Sequence, residues 1–446
     1  MREKFLTGAV AIILTVLTLA VPTQTFAEVA QFVPLPTYRV GPYASSGAPW
    51  FAGERDYFTY INEVEGGVNG VKLNVEEFET EYSPDRAVEV YERIKGGKDG
   101  SPTAFFMTHS TPATYALGPR ARKDKIPLFD PAGGRSESRN GLVFPYEFPL
   151  LFTFYSQGSV AMSFIAQEEG GFDALKGKKI VTVYHDSGYG RASQQVMKKL
   201  SEKYGFEDIQ IPVAHPGNEQ SAIWRQVRGL NPDWIVLRTW GVMTPVAIKT
   251  AKRFGMDPNK MVGDVWAGSE GDLIPAGDAA VGFHALAPYP GGTDFEIHKR
   301  LQKHVLDTNK TDLKDKSQFG WVYYNIGLVN AALAVEGMRS AMTKYGNRPL
   351  NGEEMRWGLE NMVIDEARLK ELGMLGLLQE LKVTPEDHEG GGAARVQEWD
   401  GTGFNLVSDW IQADQSIITP LIEEVAAAYA EENEISVRDS NDPHSF

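Results

Sequence analysis

The chain has 446 residues, a formal charge of −15, 42% hydrophobic residues and no cysteine. That length exceeds what one hydrophobic core sustains, so two lobes are expected. The acidity excludes nucleic acid and anionic membrane surfaces as partners. The missing cysteine excludes a disulfide framework and a lipid tether at a cleavage-site thiol.

In chain order, residues 1–27 read as a secretory signal. Arg2 and Lys4 precede the apolar run 9–20, and Thr25-Phe26-Ala27 offers small residues at the positions that a signal peptidase reads. The run is too short to span a bilayer comfortably and Pro22 follows it, which disfavours an uncleaved anchor. Cleavage near Ala27 and release into the periplasm are expected, with no membrane insertion afterwards.

Ser83-Pro84 opens a helix, Ser83 as N-cap and Pro84 in the first turn, with Ala87, Val88, Tyr91 and Ile94 at helical spacing. Strands are expected at 103–108, 126–129, 179–184, 208–213 and 234–238. Helices are expected at 112–123, 192–204, 221–230 and 244–254. Fully apolar strands alternating with amphipathic helices indicate an α/β fold with parallel sheets covered on both faces. The alternation breaks at 141–149 and at 285–292, and a strand at 394–399 makes a third crossing between lobes. Lobe 1 is read as 28–147 plus 287–395, with long helices at 321–340 and 352–360. Lobe 2 is read as 148–286 plus 396–432. The crossings fall near 145, 286 and 396, and 433–446 is a polar tail expected to fray.

Signals of catalysis are weak. There is no HExxH, no G-x-S-x-G and no P-loop. Gly188-Tyr189-Gly190-Arg191-Ala192-Ser193 has two of the three glycines of a dinucleotide fingerprint. It reads better as a strand-to-helix turn that presents Tyr189 at the carboxyl end of a sheet, where open α/β sheets place ligands. His109, His185 and His388 show no metal-ligand spacing, and Asp387-His388-Glu389 reads as a solvated loop. No enzyme activity, cofactor or metal is expected. Asp264, Glu270 and Asp272 cluster beside aromatics, either as a solvated loop or facing a ligand. Four loops, at 41–50, 109–114, 130–135 and 186–190, combine small residues, hydroxyls and an aromatic at strand ends. Together they suggest a cleft that could hold a carboxylate.

These features resemble the type I periplasmic substrate-binding proteins of ABC transporters, in the branch of the leucine–isoleucine–valine-binding proteins. The marks are Gly41-Pro42 before Trp50, Ile61-Asn62 leading to Gly66-Gly67-Val68-Asn69-Gly70, Ser83-Pro84-Asp85-Arg86-Ala87 and Ser110-Thr111-Pro112-Ala113-Thr114. Further marks are Gln157-Gly158, His185-Asp186 with Tyr189-Gly190, and 276–282. The resemblance implies two Rossmann-like lobes with parallel sheets, joined by a three-strand hinge and closing on a ligand. It implies Trp50 against the ligand side chain, Ser110 and Thr111 as hydroxyls for a carboxylate, and Ala132, Gly133 and Gly134 completing that site. It places Tyr189, Trp240 and Gly241 on the second-lobe wall.

One departure stands out. Where amino-acid binders of this family carry a glutamate for the ligand's ammonium, this chain has Gly263-Asp264-Val265-Trp266. Val265 takes the glutamate position, and strand alternation turns Asp264 the other way. The 130–135 loop also lacks the family's threonine, while Arg135 could add charge for an anion. Segment 341–392 has no counterpart in compact members. The expected function is therefore a periplasmic receptor, a monomer, that delivers a small organic solute to an inner-membrane ABC permease complex. The solute is read as a carboxylate, flat or aromatic because of Trp50, Tyr189, Trp240 and Trp266. The alternatives are a true amino-acid binder, with Asp264 or Glu270 as the ammonium partner, and the ligand-binding subunit of a membrane sensor. On this reading, truncating Trp50 or Tyr189 to alanine weakens binding and leaves the melting temperature nearly unchanged.

Overall fold

The computed structural model describes residues 30–439 and 441–442. The signal read at 1–27 lies outside them. Strands β1 (Gln31–Thr37) and β2 (Leu73–Glu79) pair in parallel. β3 (Phe106–Met107), β4 (Leu128–Phe129) and β5 (Glu147–Phe148) form a second parallel ladder, with β3 against β1. The chain then enters a larger sheet. β6 (Lys179–His185), β7 (Glu207–Val213), β8 (Trp234–Arg238), β9 (Met261–Gly263) and β10 (His284–Ala287) are all parallel, in the order 10-9-8-6-7. It returns to the first side through the long helix Val322–Tyr345 and the short antiparallel pair β11 (Val363–Ile364) and β12 (Leu381–Lys382). β13 (Ala393–Trp399) goes back to the large sheet, antiparallel to β10, and carries β14 (Phe404–Leu406) and β15 (Ile411–Gln412). Every residue of β8 is buried, as a central strand covered on both faces requires.

The expected helix at 192–204 is present as one helix, Gln194–Tyr204, and a separate short turn at Gly188–Arg191, capped by Ser187, precedes it. The stretch 41–50, read as a loop from its glycine, serines and prolines, is helical from residue 44 and runs to Val64 with Pro49 inside. Packing outweighs composition there. The helix lies backbone to backbone on Val322–Tyr345. A Cβ on Gly53 would stand 2.1 Å from the Tyr324 carbonyl oxygen, and one on Gly327 would stand 1.9 Å from that of Trp50.

Two polar segments are better ordered than expected. His388 is fully buried and stacks on Phe148 with ring centroids 3.9 Å apart. In the tail, Arg438 alone of residues 435–438 is buried. Arg438 is 2% exposed and donates to Glu360 Oε1 at 2.6 Å, an oxygen that also lies 3.3 Å from His388 Nε2. Among the described residues, Arg438→Ala leaves buried Glu360 with His388 as its one side-chain partner. It should cost about 3 kcal/mol, read as a lower urea midpoint at unchanged m-value.

Candidate functional site

Strand order reverses between β6 and β8, and open α/β sheets bind ligands outside the carboxyl ends at such a point. Tyr189 follows β6 and Trp240 follows β8. Opposite them stands Trp50, in the second turn of helix Ala44–Val64. Its ring stacks on Trp266 at 5.1 Å with the planes 13° apart, and Trp266 lies 5.8 Å from Trp240. These rings wall a cleft of about 10 Å³, room for about one water.

The floor on the first side is polar. Ser110 caps helix Thr111–Asp124, its hydroxyl accepting from the Ala113 N–H at 3.4 Å. His109 sets Nε2 2.8 Å from Glu54 Oε1 and Nδ1 3.0 Å from the Pro36 carbonyl. Both ring nitrogens thus face acceptors, the arrangement of an imidazolium. Burial works to lower the His109 pKa, but Glu54 outweighs it and the net shift is upward. Glu54 Oε1 also accepts from Trp50 Nε1 at 3.0 Å. Asp130, just beyond β4, accepts from Thr114 Oγ1 at 2.8 Å, and burial pushes its carboxyl up to about 6. Gly133 lies under that carboxyl, where a Cβ would come within 2.7 Å of Oδ1.

On the second side the Tyr189 hydroxyl donates to Asp264 Oδ2 at 2.8 Å. Arg238 Nη1 lies 3.4 Å from the same carboxylate, and Nη2 donates to the Tyr189 carbonyl at 3.1 Å. Burial pushes Asp264 up to about 6 against the opposing pull of Arg238.

Of the expected site residues, Trp50, Ser110, Thr111, Gly133, Tyr189, Trp240 and Trp266 line the cleft. Ala132, Gly134, Gly241 and Asp264 are not on its wall. The Ala132 N–H donates to Leu150 and its carbonyl accepts from Gln157. Gly134 backs the Asp130 carboxyl, and Gly241 faces the Tyr43 ring. Asp264 is spent on Tyr189 and Arg238. Arg135 is held elsewhere, near Glu137 and Glu147 and over the rings of Tyr115 and Tyr429. Tyr82, His109 and Asp130 line the cleft without having been singled out for it. Asp130 opens one of the four loops and His109 another, so proximity to a strand end was the available signal. No lining residue comes from segment 341–392.

Glu270 and Asp272 are off the cleft wall too. Glu270 accepts the Val322 N–H at 2.8 Å, and Asp272 accepts from Ser269 at 2.9 Å and from the Tyr323 hydroxyl at 3.2 Å. Burial pushes both carboxyls up to about 7. The folded state therefore holds protons that the unfolded chain releases near pH 4. The stabilisation is complete below that value and is lost as pH rises towards 7. The melting temperature should fall between about pH 5 and 7.5, and Asp272→Asn should make the fall shallower.

Among the described residues no helix is long and apolar enough to cross a membrane, and no cluster of three or more metal-ligating side chains occurs. A periplasmic binding protein family model matches residues 31–404. The chain belongs to the type I periplasmic binding proteins. No curated protein matches this binding protein by sequence. The crystal structure of an ABC transporter permease from the Pseudomonas fluorescens group is 60% identical, covering 92% of this chain and 99% of that one with a TM-score of 0.88. A branched-chain amino acid ABC transporter from Thermus thermophilus with bound valine matches at 20% identity, covering 88% and 99% with a TM-score of 0.73. A solute-binding protein of an R. palustris ABC transporter in complex with benzoate matches at 18% identity, covering 86% and 98% with a TM-score of 0.66. At such identities these last two share the fold.

Proposed function

We propose that this binding protein is the receptor of an ABC importer, exported to the periplasm with its signal removed, which captures a small organic solute and hands it to an inner-membrane permease. The observation that carries this is the two-sided cleft. Trp50, Ser110 and Thr111 face Tyr189, Trp240 and Trp266 across it, so a solute touching both sides favours the closed form. The lobes are 28–147 with 287–395 and 148–286 with 396–432, closing about crossings near 145, 286 and 396.

The solute is a flat carboxylate. Three tryptophans supply ring faces. Trp240 Nε1 is buried without a partner and is free to donate to an acceptor. Thr111 adds a hydroxyl at the start of a helix. Asp264, the acid nearest the family's ammonium-binding position, is already paired. A fold neighbour that holds benzoate agrees with this reading. Asp130, on the cleft wall, favours the second reading, an amino acid whose ammonium meets that carboxyl. A thermal-shift screen of ligand-stripped protein separates the two. Stabilisation by benzoate or cinnamate and not by valine or phenylalanine supports the carboxylate. A ligand at a thousand times its Kd adds about 4 kcal/mol, so the shift is large. The reverse pattern establishes the amino acid.

A further inference from the structure

Three indoles meet in the cleft, and they are not held alike. Trp50 is pinned by its nitrogen, which donates to Glu54 Oε1, an oxygen that also faces His109. Its ring lies parallel to that of Tyr323, at 6.4 Å with the planes 11° apart. Trp240 is caged by the rings of Tyr38, Tyr43 and Tyr82, at 5.8, 4.9 and 4.8 Å. Trp266 reaches both of them, 5.1 Å from Trp50 and 5.8 Å from Trp240. It sits in the turn Val265–Ala267 that follows β9 and is tied down through its backbone. Its N–H donates to Asp264 Oδ1 at 3.1 Å, and its carbonyl accepts from the Tyr323 hydroxyl at 2.8 Å. Stacking is what positions the ring.

The space beside these rings holds about one water. Ser110, Thr111 and Asp130 border it, as does Trp240, whose Nε1 is buried without a partner. The polar groups suited to a carboxylate thus gather round a place that an aromatic ring of the protein already fills.

We propose that Trp266 is a built-in stand-in for the solute: its indole occupies the position beside Trp50 that a flat solute takes, and the solute binds by displacing it. The idea rests on the reading of the protein as a receptor for a flat carboxylate that closes about its cleft. Trp50 and Trp266 stand on opposite sides of that cleft, so their stack bridges it as a solute would. Opening parts the two rings, and closure restores the stack, so opening alone makes no lasting room. Only a solute that outcompetes the indole for Trp50 is retained. An aliphatic chain cannot replace a ring-on-ring contact, so the competition selects for aromatic solutes. It also weakens binding, because a binding-competent form populated at about a tenth lowers apparent affinity about tenfold. Of the three tryptophans, Trp266 is the one that yields.

A wall ring and a stand-in ring respond to truncation with opposite signs. Titration calorimetry of the ligand-stripped mature protein with benzoate, and separately with indole, tests this for wild type, Trp266→Ala and Trp266→Phe, with melting temperatures recorded. Trp266→Ala should bind benzoate about tenfold more tightly than wild type, with Trp266→Phe between them. Indole should bind Trp266→Ala, whose apolar slot it refills, and not wild type. Benzoate affinity unchanged or lowered in the variants overturns the stand-in, while binding by wild type then leaves the receptor reading intact. If Trp266→Ala does not fold, the sign of the change in Trp266→Phe decides. If benzoate binds none of the three, the flat-carboxylate reading falls and indole judges the stand-in by itself. Indole bound by a truncated variant and not by wild type supports it, and indole bound by neither overturns it.

Discussion

Arg238→Met should destabilise the protein by about 3–5 kcal/mol at pH 7.5, with a smaller loss at pH 5. Arg238 and Asp264 are each 2% exposed. The guanidinium lies over the Phe154 and Tyr189 rings at 4.9 and 5.1 Å. Without it, Asp264 keeps only the Tyr189 hydroxyl and backbone N–H groups, and a buried carboxylate so poorly neutralised is costly. In acid it can take up a proton instead, since burial already holds it at about 6. Urea unfolding at the two pH values gives the comparison. The double variant with Asp264→Asn should recover part of the loss, because the pair is coupled. An equal loss at both pH values would mean that Arg238 matters through packing alone.

The second large effect is that of Trp50→Ala. Its indole is 1% exposed, stacks on Trp266 and donates to Glu54. Truncation should cost about 3–5 kcal/mol of stability and abolish solute binding. The sequence reading, by contrast, expects the melting temperature to stay nearly unchanged. In the structure the ring that faces the cleft is also part of the core. Trp50→Phe keeps an aromatic face while dropping the N–H and one ring of the indole, so it tempers the loss of packing. It should leave most of the stability, while solute affinity reports the wall. A melting temperature unchanged in Trp50→Ala would restore the purely ligand-facing reading.

The contrast between these residues shows what a sequence can carry. Buried strands such as 234–238 are legible because a strand covered on both faces must be apolar almost throughout. Ser83-Pro84 and helix 221–230 are legible because caps and helical spacing are local. The helix that bears Trp50 is not, since its start is rich in residues that punctuate chains and it is held by a partner helix far along the sequence. The aromatic wall could be anticipated from strand ends. The pairing of Asp264 with Arg238, and of His109 with Glu54, could not, because each joins elements whose meeting depends on the whole fold. Arg438 was hidden for the same reason. A charged tail looks solvated until its buried counter-ion, Glu360, is placed beside it.

The seam between helices Ala44–Val64 and Val322–Tyr345 has a mechanical consequence. With Gly53 and Gly327 letting the two backbones touch, neither helix can slide or tilt without lifting off the other. Trp50 and Tyr323, one on each helix, reach Trp266 together, one by its ring and one by its hydroxyl. If the lobes close about the proposed crossings, the pair acts as a lever arm that carries a rotation there to the mouth of the cleft. A strain gauge for closure, such as a pair of fluorophores, would therefore read most at the tip of that arm and hardly at all along the seam.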